Sequence, residues 1–477
     1  METREVVIVS YARTAFTRAH KGEFRNTRPD TLAAEAIKAA LKRAKGLKPS
    51  DIDDVVLGCA MPEGEQGNNV ARVAALMAGL PDSVPGLTVN RFCSSGLQTI
   101  AQAAARIAIG EADVIIAGGT ESMTMVPMGG NKFSANPEVM EDHPEIYTPM
   151  GTTAENVAKK FEVSRERQDK FAAHSQAKAE AAAKRGYFKG EIIPLKATVI
   201  NADGTEETIR VTADGTPRPG TTAEGLGRLR PAFNPKGTVT AGNASPLTDG
   251  AAAVVVMSKK KADELGLEPM GYYRGFQVAG VPPEIMGIGP VPAIRKLLEK
   301  HDLKIEDIDM FEINEAFAAQ ASYCQEELGI PDEKINPNGG AISLGHPLGV
   351  SGTRMTGTLL RELHAVRGKL GIVSMCIGGG MGAAGLFEVK PHSYYRTIDG
   401  VKYDRAILDF AEGATEGAGD GRISKAEATE LFELVKDGGR YTDAEKSAVQ
   451  YVKDNYKWTD AAKTWFEDTL NDWAASK

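Results

Sequence analysis

The chain has 477 residues, of which 42% are hydrophobic and 25% are charged, and its formal net charge is −8. This composition is typical of a globular protein with more than one core, and the acidic balance argues against nucleic acid or a membrane surface as a partner. The first residues show no secretion-signal pattern, and no apolar run is long enough to span a membrane. The four cysteines lie far apart, which predicts reduced thiols, a cytoplasmic protein and no metal site.

The chain repeats a pattern at an offset of 256 residues. The segment LKPSDID at 47–53 returns as LKIEDID at 303–309, each after a helical pattern and before an apolar strand pattern. The same offset superimposes Ser95-Gly96 on Ser351-Gly352, and each pair opens a predicted helix. Several elements in the same order and spacing predict two homologous α/β halves, each with alternating strands and helices.

The repeat suggests where the domains lie. Residues 1–120 together with 246–269 form the first half, and residues 270–390 form the second. The loop-rich stretch between them, 121–245, is an insertion. Composition changes abruptly after residue 390, where the second half ends. Residues 391–477 are therefore predicted to be a separate small module.

The first candidate for chemistry is Cys93, in the segment NRFCSSG at the entrance of a predicted helix. A helix start leaves backbone N–H groups free and carries partial positive charge, and both effects favour the reactive thiolate. The small residues that follow leave room for a bulky substrate. An isolated buried cysteine is more often a packing residue, so this segment alone leaves both interpretations open.

The second candidate is His346, the only ionisable side chain of the glycine-rich loop NGGAISLGHPLGVSG at 338–352. A single histidine is more often structural than catalytic. The repeat, however, makes this loop the counterpart of the one that carries Cys93, so the two are expected to face each other. A cysteine beside a histidine is the usual arrangement for activating a thiol nucleophile.

Two further motifs end predicted strands. In NEAFAAQ, Asn314 can hold a water or a carbonyl oxygen, or it can cap the next helix. In CIGGGMG at 376–382, Cys376 stands at the end of an apolar strand, where α/β sheets usually place ligands. The glycines after it either bring backbone N–H groups to a substrate oxygen or form a tight turn.

The segment 391–477 has its own character: it holds all three tryptophans and six of the twelve tyrosines, with 17 acidic and 12 basic residues. The stretch EGAGDGRISKAE at 416–427 partly fits a calcium-binding EF-hand loop, although Ala418 cannot supply a ligand. The stretch LVKDGGRYTDAE at 434–445 repeats the end of that pattern with worse ligands. The fitting residues are Glu416, Asp420, Gly421, Ile423 and Glu427.

Together, VNRFCSSGLQ, NEAFA, NGGAISLGHPLGVSG and CIGGGMG closely resemble the thiolase family in order and spacing, over about residues 5–389. The resemblance implies an α/β thiolase fold, with two duplicated βαβ halves in a layered αβαβα arrangement, followed here by a small all-α module. It implies a ping-pong acyl transfer with CoA and acyl-CoA as substrates, no permanently bound cofactor, and a homodimer or homotetramer. The reaction is thiolysis of 3-ketoacyl-CoA or condensation of two acetyl-CoA, and the motifs look slightly more degradative.

The resemblance also implies roles. Cys93 takes the acyl group, His346 accepts the Cys93 proton, and Cys376 is the second acid/base. An oxyanion hole comes from His346 and a water held by Asn314, and another from the backbone N–H groups of Cys93 and Gly378. The residues implied for CoA and its acyl chain are Arg218, Ser245, Met150, Met286 and Phe317.

Three other interpretations remain open. A decarboxylating ketosynthase or an HMG-CoA-synthase-like enzyme shares this fold, but such enzymes replace the second cysteine, so Cys376 speaks against them. An acyl-CoA-binding protein without chemistry is expected to lose one of the four motifs. The final module could sense calcium or dock a partner.

Overall fold

The computed structural model describes residues 3–201, 203–390, 395–398, 400–416, 421–436 and 441–475. The chain divides into two compact units, Met1–Gly186 with Ile193–Lys390, and Pro391–Lys477 with Tyr187–Ile192. Of the helices described, none combines the length and the apolar content that crossing a membrane requires.

The larger unit alternates strands and helices along most of its length. Its strands are β1 (Val6–Arg13), β2 (Thr17–Arg18), β3 (Asp54–Gly58), β4 (Gly86–Val89), β5 (Val114–Ser122), β6 (Leu195–Ile200), β7 (Glu206–Val211), β8 (Thr248–Ser258), β9 (Gly271–Gly280), β10 (Met310–Ile313), β11 (Leu370–Ile377) and β12 (Met381–Glu388). Its helices are α1 (Pro29–Arg43), α2 (Val70–Met77), α3 (Ser95–Ala108), α4 (Pro137–Asp142), α5 (Met150–Lys160), α6 (Arg165–Lys184), α7 (Ala223–Gly227), α8 (Lys259–Glu264), α9 (Pro290–Lys300), α10 (Ala318–Glu327), α11 (Ala341–Leu344) and α12 (Ser351–Ala365).

One large sheet runs through this unit in the order β10-β11-β12-β9-β1-β8-β5-β3-β4, with β2 paired to β8. β3 is parallel to β4 and β5, and β10 is parallel to β11. The two halves join where β1 pairs with β9 over only two residues, Val7 with Tyr272 and Ile8 with Gly271. Strands β5 and β8 are buried along their whole length, which explains their continuous apolar sequence.

Helices α3 and α12, which the repeat predicted, pack against each other. They lie between the strands of the first half and those of the second half of the sheet. Their glycines allow this approach: a Cβ on Gly96 would lie 2.7 Å from Thr353 Oγ1, and one on Gly352 would lie 2.3 Å from the Leu97 nitrogen. A methyl group at either position would overpack the contact, at a cost of about 1–3 kcal/mol. Helices α1 and α9 cover the outer faces, so the layered αβαβα arrangement is confirmed.

The smaller unit contains the predicted helices, α13 (Arg405–Glu416), α14 (Lys425–Val435), α15 (Asp443–Asn455) and α16 (Asp460–Ala475). They are preceded by a hairpin of β13 (Tyr395–Ile398) and β14 (Val401–Asp404), which the all-α prediction did not include. The helices enclose their own core, built around Ile407, Leu431, Val449 and Phe466.

The EF-hand prediction meets two structural facts. Residues 417–420, which include Ala418 and Asp420, lie outside the described residues. The Glu427 carboxylate accepts the Ser424 N–H at 2.8 Å, which makes a capping box at the start of α14.

The second, weaker pattern at 434–445 lies partly outside the described residues, which omit 437–440. At its end, Glu445 accepts the Thr442 N–H at 2.6 Å and caps α15. Ile423, in the first pattern, forms an isolated bridge with Trp458, which lies between α15 and α16.

Candidate active site

Cys93 lies in a tight turn, Phe92–Ser94, immediately before α3. Phe92 has φ 43°, a left-handed conformation that side chains other than glycine rarely adopt. The Ser95 hydroxyl holds this turn, because it accepts the Arg91 N–H at 2.9 Å and donates to the Phe92 carbonyl at 2.7 Å. The Ser95 hydrogen bonds therefore hold the strained turn that carries Cys93.

Burial controls the charge of this thiol. It raises the pKa of Cys93 to about 12, although the backbone N–H groups of Gly378 and of Cys93 itself act in the opposite direction. The backbone N–H groups at the helix start favour the thiolate, but burial has the larger effect on the pKa of Cys93. The same contact with Gly378 brings together the two N–H donors that the resemblance implied for one oxyanion hole.

His346 has a defined tautomer. Its Nδ1 lies 2.6 Å from Ser351 Oγ, and that hydroxyl donates its own proton to the Pro347 carbonyl at 3.1 Å. The hydrogen-bond network therefore assigns the imidazole proton to Nδ1 and leaves a lone pair on Nε2. Burial, aided by the charge of Arg354, lowers the pKa of His346 to about 3, so the ring is neutral.

Asn314 follows β10 and is fully buried. Its Nδ2 lies 3.2 Å from His346 Nε2, so the amide contacts the imidazole directly. Its Oδ1 has no hydrogen-bond partner among the described residues. The capping alternative is wrong, because α10 begins at Ala318 and Phe317 holds the cap position.

Cys376 is the penultimate residue of β11 and is fully buried. It packs with Met150, Met286 and Phe317 in one hydrophobic cluster. Burial raises the pKa of the Cys376 thiol, and the neighbouring Cys93 raises it further, so this thiol is also protonated. The two cysteines are therefore close enough to influence each other.

The glycines after Cys376 form the tight turn that was one of the two alternatives from the sequence. Gly379 and Gly380 have φ 79° and 85°, so they make the reversal from β11 to β12 that other residues resist. Gly378 points its N–H towards Cys93, and a Cβ there would lie 3.2 Å from Met150 Cε.

A cavity of about 420 Å³ connects these groups. Cys93 and His346 line it, whereas Asn314, Cys376 and Gly378 lie just behind its wall. The residues predicted for CoA and its acyl chain all line it: Arg218, Ser245, Met150, Met286 and Phe317. Within the described chain, no cluster of three or more His, Cys, Asp or Glu residues could hold a metal ion.

Basic side chains contribute to the lining. Arg18, Lys21 and Arg218 line the cavity together with His20, and no carboxylate does so among the described residues. Arg18 was not predicted from the sequence, because nothing local distinguishes it from a solvated surface arginine.

Two buried carboxylates were also missed, and the first is Glu121 at the end of β5. It accepts the N–H groups of Ala60 and Gly349 at 2.8 Å each and the amide of Gln66 at 2.6 Å. Burial raises the pKa of Glu121, while these donors lower it. The sequence offered one signal for Glu121: an acidic residue inside the apolar run VIIAGGTES.

The second is Glu315, beside Asn314. It accepts from Ser175 at 2.6 Å, from the Asn336 amide at 2.8 Å and from the Ile342 N–H at 3.3 Å. Ile342 and Gly349 flank His346, so a carboxylate from each half anchors one side of the histidine loop.

Comparison with known proteins gives a consistent result. The family model for the thiolase N-terminal domain matches residues 6–260, and that for the thiolase C-terminal domain matches residues 267–389. The chain is 53% identical over 390 residues to a 3-ketoacyl-CoA thiolase of Bacillus subtilis (strain 168), covering 81% of this chain and 100% of that protein. It is 49% identical over 388 residues to the peroxisomal 3-ketoacyl-CoA thiolase A of Mus musculus, covering 80% and 91%.

Two solved structures are similar. The Bacillus anthracis acetyl-CoA acetyltransferase has a TM-score of 0.73 and 42% identity, covering 81% of this chain and 99% of that one. The human mitochondrial 3-ketoacyl-CoA thiolase has a TM-score of 0.73 and 38% identity, covering 82% and 100%.

Proposed function

The chain belongs to the thiolase family of CoA-dependent acyltransferases, and we propose that it cleaves 3-ketoacyl-CoA through an acyl group held on Cys93. The observation that carries this proposal is the shared cavity of a buried thiol, Cys93, and a neutral imidazole, His346, whose Nε2 carries no proton and contacts the Asn314 amide. The reverse condensation of two acetyl-CoA uses the same groups.

The acyl group is transferred first to the enzyme. His346 Nε2 takes the Cys93 proton while the sulfur attacks the 3-keto carbon. Because burial disfavours both the thiolate and the imidazolium, proton transfer and attack occur together rather than through a stable ion pair. The N–H groups of Cys93 and Gly378 stabilise the developing oxyanion, and one such donor contributes about 2.7–4 kcal/mol to lowering a barrier.

The bond between C2 and C3 of the substrate then breaks and leaves an acetyl-CoA carbanion. Cys376 gives this carbon its proton, while His346 and the Asn314 amide face the enolate oxygen. In the second stage Cys376 takes the proton of an incoming CoA thiol, which attacks the acyl group on Cys93. His346 returns its proton to Cys93, so the enzyme ends as it began.

Degradation of 3-ketoacyl-CoA is favoured over synthesis for two reasons. The curated relatives from Bacillus subtilis and mouse are named 3-ketoacyl-CoA thiolases. The cavity wall near Cys376 is apolar, with Met150, Met286 and Phe317, which suits an alkyl chain.

We further propose a homodimer through the β4 edge of the sheet. β4 ends the sheet order, and the adjoining face is apolar and exposed, with Val73, Leu76, Met77 and Leu87 each 37–45% accessible. An exposed apolar edge strand is an aggregation risk unless a partner covers it, and a second copy offers a matching edge.

The domain division and the compartment are also proposals. The return of β8 to pair with β1 and β5 after the stretch 121–245 supports the grouping of 246–269 with 1–120, leaving 270–390 and 391–477 as separate parts. The four unpaired cysteines support a reducing compartment, and we propose the cytoplasm. Relatives named as peroxisomal make the peroxisome the alternative.

Thiolysis of acetoacetyl-CoA by added CoA tests the activity. The reaction is measured as the loss of the absorbance of the substrate's enolate. We expect acetyl-CoA as the product with wild type and none with Cys93→Ala. A folded wild-type protein that binds acetoacetyl-CoA without cleaving it would replace this proposal with the acyl-CoA-binding interpretation.

A further inference from the structure

A fully buried ion pair joins strand β10 to helix α12 beside the reacting imidazole. Arg354 Nη1 lies 2.9 Å from Glu312 Oε2, and both side chains are only 1% exposed. Removing two charges from water is unfavourable, and replacing such a pair by neutral side chains of similar size is often neutral or even stabilising. Stability alone is therefore a weak reason for an ion pair at this place.

The two charged residues share their faces with the groups that contact His346. Side chains alternate along a strand, so Glu312 lies on the same face as Asn314, which continues the β10 ladder through its N–H. On α12, Arg354 comes three residues after Ser351 and therefore lies on the same helix face. The strand and the helix are thus joined by two neighbouring links. One is the ion pair, and the other is the imidazole between the Asn314 amide, at 3.2 Å, and the Ser351 hydroxyl, at 2.6 Å.

The charge of this pair reaches the imidazole. Arg354 lowers the pKa of His346 in addition to the effect of burial. The Nε atom of Arg354 has no hydrogen-bond partner within the part of the chain that the structure describes. A positive charge therefore stands behind a ring that has to remain unprotonated until the substrate arrives.

The other half of the larger unit has neutral residues at the matching positions. At the offset of 256 residues, Val56 of β3 corresponds to Glu312, and Gln98 of α3 corresponds to Arg354. Helix α3 packs on β3 as α12 packs on β10. The duplicated fold therefore makes this contact without charges in the half that carries the thiol, and with charges in the half that carries the imidazole.

The first half has an ion pair between the same two elements, but at the opposite end of the helix. Arg106, in the last turn of α3, pairs with Asp54 at the start of β3. Arg106 is roughly 16 Å along the helix axis from the first residue of α3, given a rise of about 1.5 Å per residue. Since Cys93 precedes that first residue, this pair is remote from the thiol and provides a matched control.

We propose that Glu312 and Arg354 are positioning residues for the reaction. Their ion pair holds Asn314 and Ser351 in register on the two sides of the His346 ring. The proposal rests on the proposed function, because it takes this imidazole as the base. Neither charged side chain lines the cavity, so each acts through its neighbours rather than on the substrate.

The test exchanges the pair for the residues that the first half uses. The double variant Glu312→Val/Arg354→Gln removes both charges together, so no unpaired charge stays buried. We expect it to fold, to keep the KM for acetoacetyl-CoA and to lower kcat by about 10- to 100-fold, because a displacement of about 1 Å near a reacting group costs up to about 10²-fold. The control Asp54→Asn/Arg106→Gln keeps its kcat.

Thermal unfolding followed by circular dichroism shows whether each variant folds. If Glu312→Val/Arg354→Gln does not fold, Glu312→Gln/Arg354→Met, which is closer in volume to the original pair, takes its place. An unchanged kcat in a folded double variant would overturn the proposal.

A second experiment asks whether the pair acts through the imidazole. The double exchange is combined with His346→Gln, and kcat is measured for the combined variant. Groups that act as a unit have non-additive effects, so we expect the combined variant to lose no more activity than His346→Gln alone. Losses that multiply would show that the ion pair acts elsewhere and would overturn its positioning role.

The position of the imidazole proton gives a readout that needs no activity. Nitrogen NMR of protein with isotope-labelled histidines identifies His346 by the signals that disappear in His346→Gln. We expect two well-separated ring-nitrogen shifts in wild type, and shifts closer together in the double exchange, because the tautomer is then less fixed. Unchanged shifts would overturn the proposal. An inactive wild type with the expected shifts would instead refute the proposed function and leave the ion pair's effect on the ring established.

Discussion

The two halves of the larger unit present unlike groups from like positions. Ser95-Gly96 and Ser351-Gly352 begin matching helices, yet the loop before the first carries a thiol and the loop before the second an imidazole. Burial acts on them in opposite directions: it raises the pKa of Cys93 and lowers that of His346. Both groups are therefore neutral at rest. A duplicated scaffold can thus hold a thiol and an imidazole at one cavity without an ion pair.

The largest expected effect comes from removing the base of this pair. We expect His346→Gln to lower kcat for thiolysis by about 10²–10⁴-fold, because a positioned general base contributes that much. His301→Gln, a histidine outside the cavity, is the control. Equal activity of His346→Gln and wild type would mean that the second half does not supply the base.

The resting charge of the thiol can be tested by pH. Since burial raises the pKa of Cys93 to about 12, we expect its alkylation by iodoacetamide to rise about tenfold per pH unit beyond pH 9. A free cysteine would level off near its ordinary pKa of about 8.5. Mass spectrometry of the modified peptide follows the rate. A plateau near neutral pH would reveal a thiolate–imidazolium pair and contradict the neutral resting state.

The two halves can also be compared through their buried carboxylates, Glu121 and Glu315, by the stability of variants. Glu121 accepts from three backbone N–H groups, which cannot reverse, so we expect Glu121→Gln to lower the free energy of unfolding by about 1–3 kcal/mol. Glu315 accepts from the Ser175 hydroxyl, which can rotate, so Glu315→Gln should lie at the lower end of that range. Chemical denaturation of both variants measures the difference. A larger loss of unfolding free energy in Glu315→Gln than in Glu121→Gln would contradict this description of their donors.

A smaller effect is expected from the hydroxyl that sets the imidazole tautomer. Ser351→Ala removes the acceptor of the Nδ1 proton, and we expect kcat to fall about 5- to 10-fold, the value of one hydrogen bond. Ser343→Ala is a matched control, because Ser343 is a buried serine of the same loop that bonds Gly340 instead. Equal losses in both variants would indicate general damage to the loop rather than loss of the tautomer.

The smallest effect is expected from the final module. The residues matched to the Bacillus subtilis relative number 390 and cover that whole protein, and the module has a core of its own. Deleting 391–477 should therefore leave kcat/KM for acetoacetyl-CoA unchanged. A large loss of activity in a folded, truncated protein would show that the module takes part in the reaction.

Much of this arrangement could be predicted from sequence because it repeats. The offset that joins Ser95 to Ser351 predicts both central helices, and it explains why His346 and Cys93 share a cavity. The charge of Cys93 could not be predicted, because it depends on burial by distant segments, which outweighs the local helix start. The direct contact of Asn314 with His346 likewise depends on segments that are distant in the sequence.

The most direct test of the account is the mass of the intact protein after mixing with acetyl-CoA, for wild type and for Cys93→Ala. The account predicts one added acetyl group on the wild type, localised to Cys93, and none on the variant. An acetyl group retained by Cys93→Ala, or no adduct on a wild type that still cleaves acetoacetyl-CoA, would contradict the central role of this thiol.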